Sequence, residues 1–215
     1  MALTYLHHRI LAKPNAWKAA ADELAGMRQS LEADGGKLYG IWRSQIGRPR
    51  DELNAITTWD DGVSGISSMS DRLDTIAVVQ SHAQWSMTPT LRPTEATPPT
   101  KQGNYAFRFF ETPKENWDEF LSLCTAAWPG FESSYDSQVI GLWRIESDGP
   151  ELIRSLLMTR RPDLAMWERS KIPQGEKEAE VRRKLSRRYD ICQSTVVYTT
   201  TLLTASDHED TARWT

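Results

Sequence analysis

Arginine, histidine and tryptophan are the residues through which this chain could do chemistry. Arg9 and Arg108 each sit in an apolar stretch that reads as a β-strand. Each precedes a proline by the same distance, in Arg9-Ile10-Leu11-x-x-Pro14 and Arg108-Phe109-Phe110-x-x-Pro113. Two guanidiniums on matching strands could clamp a carboxylate, or hold the charge of an enolate formed from it. Arg43 and Arg144 form a second matched pair. The competing reading is structural, with these arginines in ion pairs at strand edges or between sheets, or out in solvent. Side chains alternate along a strand, so His7 shares a face with Arg9 and Leu11, while His8 points the other way. The two histidines therefore cannot ligate one metal from a regular strand. One could act as a general base or proton shuttle, and the alternative is a hydrogen-bonded core or surface histidine.

Other candidates carry less. His82, in Gln80-Ser81-His82-Ala83-Gln84-Trp85, could be an axial haem ligand, but no accompanying motif supports it. His208 stands in an acidic stretch and is given no role. No His, Cys and carboxylate cluster has metal-ligand spacing. Gly35-Gly36 follows a helix instead of opening one, so it is no phosphate loop. Cys124 falls on an apolar helix stripe and reads as an inert buried thiol. The expected ligand-binding residues are thus His7, Arg9, Trp42, Arg108 and Trp143, with no catalytic residue assigned and no cofactor or metal expected.

The elements that must position these residues come in two similar runs. Gly40-Ile41-Trp42-Arg43 recurs as Gly141-Leu142-Trp143-Arg144, 141 − 40 = 101 positions on. In the first run a strand over 3–11 leads through Pro14 into a helix whose stripe is Trp17, Ala20, Leu24, Met27 and Leu31. Gly35-Gly36 stops it. Strands over 37–44 and 53–59 make a hairpin, a weak helix covers 61–73, and a fourth strand over 75–84 centres on Ile76-Ala77-Val78-Val79. Residues 89–103 hold four of the 11 prolines and read as an extended linker. The second run has a strand from Tyr105 and a helix with Trp117, Phe120, Leu121, Cys124 and Trp128 that Pro129-Gly130 ends or kinks. Strands over 139–146 and 152–160 flank a turn at Asp148-Gly149. Helical stretches over 163–171 and 176–189 precede a last strand over 191–203. The order β-α-β-β-α-β, twice, predicts an α+β fold of two ferredoxin-like modules in tandem. Their expected bounds are 1–92 and 103–205, with a linker at 93–102 and an acidic tail at 206–215.

These stretches resemble the NIPSNAP family of the dimeric α+β barrel superfamily. Gly103-Asn104-Tyr105-x-x-Arg108-x-Phe110 is similar to that family's opening strand, and Gly40-x-Trp42 and Gly141-x-Trp143 to its central strand. Leu53-Asn54-Ala55-Ile56-Thr57-Thr58-Trp59 is similar to the Leu-Asn-x-Ile-x-x-x-Trp stretch that follows, and Leu91-Arg92-Pro93 to the end of a family repeat. The first strand departs from the pattern, with Leu6-His7-His8 where an aromatic and a carboxylate are usual, and Ile153-Arg154 stands where the first run has Asn54-Ala55. The resemblance implies that the two sheets pack face to face as an intrachain barrel.

Composition narrows the function. Net charge is −3 over 215 residues, so no basic field favours nucleic acid. Arg182, Arg183, Lys184, Arg187 and Arg188 crowd one helix, but Glu178–Arg182 and Glu180–Lys184 have the pairing order of a solvated face. Two cysteines suit a reducing compartment, and neither a membrane span nor a secretory signal is apparent, so a cytoplasmic location is expected. Two functions remain. One is a pocket for a small aromatic or carboxylate-bearing metabolite in a barrel interior, with cofactor-free monooxygenase or isomerase chemistry open to it. The other is a non-catalytic interaction or scaffold protein. A homo-oligomer is compatible with either.

Overall fold

The computed structural model describes residues 3–146, 149 and 151–207. The turn expected at Asp148-Gly149 and the tail beyond Asp207 fall partly or wholly outside them. The elements run β1 (Thr4–Ala12), α1 (Trp17–Gly26), α2 (Arg28–Ala33), β2 (Gly36–Ile46), β3 (Glu52–Trp59), α3 (Gly62–Thr75), β4 (Val79–Arg92), β5 (Asn104–Pro113), α4 (Trp117–Tyr135), β6 (Gln138–Ile145), β7 (Leu152–Arg161), α5 (Leu164–Arg169), α6 (Glu176–Asp190) and β8 (Ser194–Leu202). The fold is α+β, with antiparallel strands.

The chain divides into two compact units. Unit 1 takes residues up to Thr88, Glu95–Gln102 and the chain from Tyr198 on; unit 2 takes Pro89–Thr94 and Gly103–Val197. In unit 1 the strand order is β4-β1-β3-β2, followed by the Tyr198–Leu202 part of β8. One sheet face is apolar because alternate residues are: Leu6, Ile10, Ile41, Leu53 and Ala55 pack under Trp17, Ala20 and Leu24 of α1 and Met69 and Leu73 of α3. Asp61 caps α3 by accepting from the Val63 and Ser64 amides at 3.2 and 3.4 Å. In unit 2, β5, β7 and β6 are consecutive neighbours. Phe110, Val139, Leu142 and Leu157 face Phe120, Cys124, Trp128 and Phe131 of α4 and Val181 of α6.

Several boundaries differ from expectation, each for a local reason. The first helix breaks at Met27 into α1 and α2. The apolar run Ile76 to Val79 is not the heart of a strand: Thr75 closes α3, Ile76 caps it, and β4 continues to Arg92, into the expected linker. Pro129 does not end α4. The apolar stripe carries on through Phe131 to Tyr135, and its burial outweighs one missing N–H; Asp136, at φ 42°, ends the helix instead.

Tryptophans and glycines interlock within each unit. A Cβ on Gly36 would come within 2.7 Å of the Trp59 ring, and one on Gly65 within 2.5 Å, so the indole lies between two bare backbones. Trp42 covers Gly40 and Trp143 covers Gly141 in the same way, both rings fully buried on the sheet face away from the helices.

Candidate functional site

The register of the strands decides which candidates share a face. Gly40 pairs with Ile56 and Gly141 with Met158, each next to a bulge, so Ala55 and Leu157 hold corresponding places. Ala55 pairs with His8, and Leu157 with Arg108. Arg108 therefore corresponds to His8, 108 − 8 = 100 positions apart, and Arg9 to Phe109. The expected match of Arg9 with Arg108 is one residue out of register, and a one-residue slip exchanges the faces of a sheet. Arg108 lies on the helix-covered face of its unit. His7, Arg9 and Trp42 lie on the opposite face of theirs.

The same register shows why unit 2 has a cavity under its helices. Where unit 1 has Leu6, His8 and Trp59, unit 2 has Ala106, Arg108 and Arg161. In unit 1 these three side chains are fully buried. His8 is buried with Nε2 2.8 Å from Thr57 Oγ1, and the Trp59 indole N–H donates to the same oxygen at 2.7 Å. In unit 2 a methyl replaces an isobutyl group and a guanidinium replaces an indole. A cavity of about 130 Å³ opens between β5, β6, β7 and helices α4, α5 and α6.

Basic residues dominate its polar lining: Arg108, Arg161, Arg182, Arg188 and Lys171. Aromatic rings hold them. The Arg161 guanidinium sits 4.5 Å from the Trp167 ring centre and 5.0 Å from that of Phe131, and Arg108 sits 5.5 Å from Tyr189. Arg188 is buried 5.5 Å from Phe110 and donates to Cys124 Sγ at 3.3 Å. Arg161 donates from Nη1 to Thr159 Oγ1 at 3.2 Å. Among the described residues the buried Nε atoms of Arg161 and Arg188 have no hydrogen-bond partner. Among the described residues no carboxylate pairs with Arg108, Arg161, Arg182 or Arg188. Glu178, expected to pair with Arg182, is taken by Arg169 at 2.8 and 2.9 Å, which leaves Arg182 to the cavity. Burial pushes Arg161 down to about 10, and the charge of Arg108 adds to this; burial likewise lowers Arg108. At about 10, Arg161 remains cationic at neutral pH.

The other expected site residues lie elsewhere. His7 is buried, with Nε2 2.9 Å from Asn54 Oδ1 and its ring stacked on Trp85 at 5.4 Å. Tyr198 donates to the same Asn54 oxygen at 2.8 Å. Arg9 lines a groove of about 250 Å³ in unit 1 beside Arg48 and Glu52, where both guanidiniums share the one carboxylate. Glu52 accepts from Arg48 Nε at 2.8 Å and lies 3.8 Å from Arg9 Nε. Glu52→Ala strands both guanidiniums and should cost about 1–2 kcal/mol in urea unfolding; an unchanged midpoint would show that the cluster contributes nothing. Arg43 stacks on Trp17 at 3.9 Å and Arg144 is exposed. Trp42 and Trp143 do not line the unit 2 cavity. Among the described residues no His, Cys, Asp and Glu cluster could hold a metal, and no helix is long and apolar enough to cross a membrane.

Sequence reasoning missed Arg161, Arg182 and Arg188 as site residues. The usable signal was Arg161 standing at the register position of Trp59, since exchanging a core indole for a cation calls for a local reason.

No protein-family model matches the chain, and no curated protein is similar to it. Solved structures are. An anthrone oxidase-like protein superposes with a TM-score of 0.65 at 13% identity, over 94% of this chain and 91% of its own. A candidate monooxygenase from Lactobacillus acidophilus gives 0.57 at 10% identity, over 95% and 98%. A heme-binding protein from Thermus thermophilus gives 0.56 at 14% identity, over 94% and 91%. The likeness is one of fold.

Proposed function

We propose that the chain is a small-molecule-binding protein of the dimeric α+β barrel superfamily, and that its ligand is a small organic anion held in the arginine-lined cavity of unit 2. The observation that carries this is four arginines around one cavity with no carboxylate paired to them among the described residues. A buried cation without a counter-ion is costly, and an arriving anion removes that cost. The names of the anthrone oxidase-like protein and the monooxygenase support an enzymatic extension. Cofactor-free oxygenation or isomerisation passes through an enolate or phenolate, and guanidiniums would hold that charge.

The finer fold reading is that two ferredoxin-like modules, 1–92 and 103–205, arose by duplication and pair as an intrachain barrel. The matching bulges before Gly40 and Gly141 support it, as do the Gly-x-Trp motifs shared with NIPSNAP proteins. The free thiols of Cys124 and Cys192 support a cytoplasmic location. Haem, named for the Thermus protein, does not fit the described residues. The Nε2 atoms of His7, His8 and His82 are engaged by Asn54, Thr57 and Asp74. The cavity is also well below the roughly 300 Å³ at which cofactor-sized pockets begin.

Arg161→Met tests the reading. The thioether keeps the contacts with Phe131 and Trp167 and removes the charge. Calorimetric titration with small carboxylates and phosphates should show affinity falling at least tenfold, while the melting temperature of the free protein holds or rises. Unchanged affinity, or no anion binding to the parent protein, would overturn the proposal.

A further inference from the structure

We infer that the anion is a phosphate monoester, recognised through its dianionic head group and not through a ring. This rests on the anion-binding reading above and names its ligand class. The first ground is where the aromatic faces point. Trp128 carries the Arg92 guanidinium at 5.4 Å, Phe131 and Trp167 share that of Arg161, and Tyr189 carries that of Arg108 at 5.5 Å. Each ring around the cavity thus already has a cation on a face. The rings hold the arginines, so those faces are not free for a ligand ring.

The second ground is donor supply. A guanidinium held over a ring still has its N–H bonds to give, five per arginine. Of those on Arg108, Arg161 and Arg188, the described residues accept one from Arg161, to Thr159, and one from Arg188, to Cys124. The buried Nε groups of Arg161 and Arg188 stay unfilled. A carboxylate has two oxygens for these edges and one charge. A phosphate monoester has three terminal oxygens and close to two charges at neutral pH, in the shape that arginine forks match. The third ground is size: about 130 Å³ suits a head group, with the rest of the ligand leading outward past the half-buried Arg182 and the exposed Lys171.

The test is calorimetric titration of the full chain with phenyl phosphate, inorganic phosphate and benzoate at fixed ionic strength. Phenyl phosphate and inorganic phosphate should both bind at least tenfold tighter than benzoate. Phenyl phosphate affinity should rise between pH 5.5 and 7.5 as its second proton leaves. Arg108→Met and Arg182→Met should each weaken it tenfold or more; Arg182 is half-buried, so its variant remains informative if Arg108→Met fails to fold. Arg187→Met, at an exposed side chain paired with Glu119 at 2.9 Å, should change nothing. Benzoate binding as tightly as phenyl phosphate would overturn the phosphate assignment and leave the anion site standing. Binding by none of the three would sink both.

Discussion

Acidification from pH 7 to pH 4 should cost the folded protein several kcal/mol, most of it through His7 and His8. Both rings are fully buried in unit 1. Burial pushes His7 down to about 4, against a raising hydrogen bond to Asn54 Oδ1, and the Arg9 charge adds to the fall. Burial pushes His8 down to about 3, with His7 next in effect. In the unfolded chain both titrate near 6.5. Between those values the unfolded chain binds more protons, so falling pH favours unfolding; above 6.5 both states are neutral and the effect is gone. Each unit of pKa difference is worth about 1.4 kcal/mol. The window from pH 6.5 to 5 isolates the histidines, because ordinary carboxylates titrate lower. Urea unfolding at half-unit steps should show stability falling through that window, and His8→Gln should flatten the slope. A level profile between pH 6.5 and 5 would refute the assignment.

Gly141→Val should destabilise the protein by about 3 kcal/mol. A Cβ there would stand 2.6 Å from Cζ2 of the Trp143 ring. The ring is fully buried, and Leu156, its partner across the strands, is buried as well. A rigid, fully buried indole cannot yield as the end of a lysine would, so the cost falls at the top of the usual overpacking range. Thermal unfolding of Gly141→Ala and Gly141→Val should give graded losses, and Trp143→Leu should rescue the valine variant by reopening the space. No change in melting temperature would mean that the ring is not held against this glycine.

Periodicity alone revealed most elements. The helix stripes of α1 and α4 and the Gly-x-Trp strands needed only residue spacing, because burial on one face imposes that spacing. Register could not be read so directly. It depends on bulges at Leu38/Gly40 and Val139/Gly141 that no residue type announces. Pro113 is the last residue of β5 whereas Pro14 lies two residues past the end of β1, so aligning the two prolines put Arg9 opposite Arg108 and placed Arg108 on the wrong face. The run Ile76 to Val79 misled for a related reason: a short apolar run suits a helix end as well as a strand. The cavity was least legible. Arg182 looked paired because Glu178 stands four residues before it, yet Arg169, from another helix, reaches that carboxylate first. Only tertiary structure decides such a competition.

Unit 1 is completed by residues from the far end of the chain, and that limits where the polypeptide can be cut. Leu202, Thr201, Thr200 and Thr199 form the ladder on β2 from Trp42 to Ile46, and Thr204 accepts from the Ile41 amide at 3.4 Å. A fragment ending at the proline-rich segment would bare that rim of backbone donors and acceptors, and exposed rims of this kind recruit other chains. Expressed alone, residues 1–102 should aggregate. Supplying the final strand as a separate peptide, or splicing it onto the fragment by circular permutation, should restore solubility.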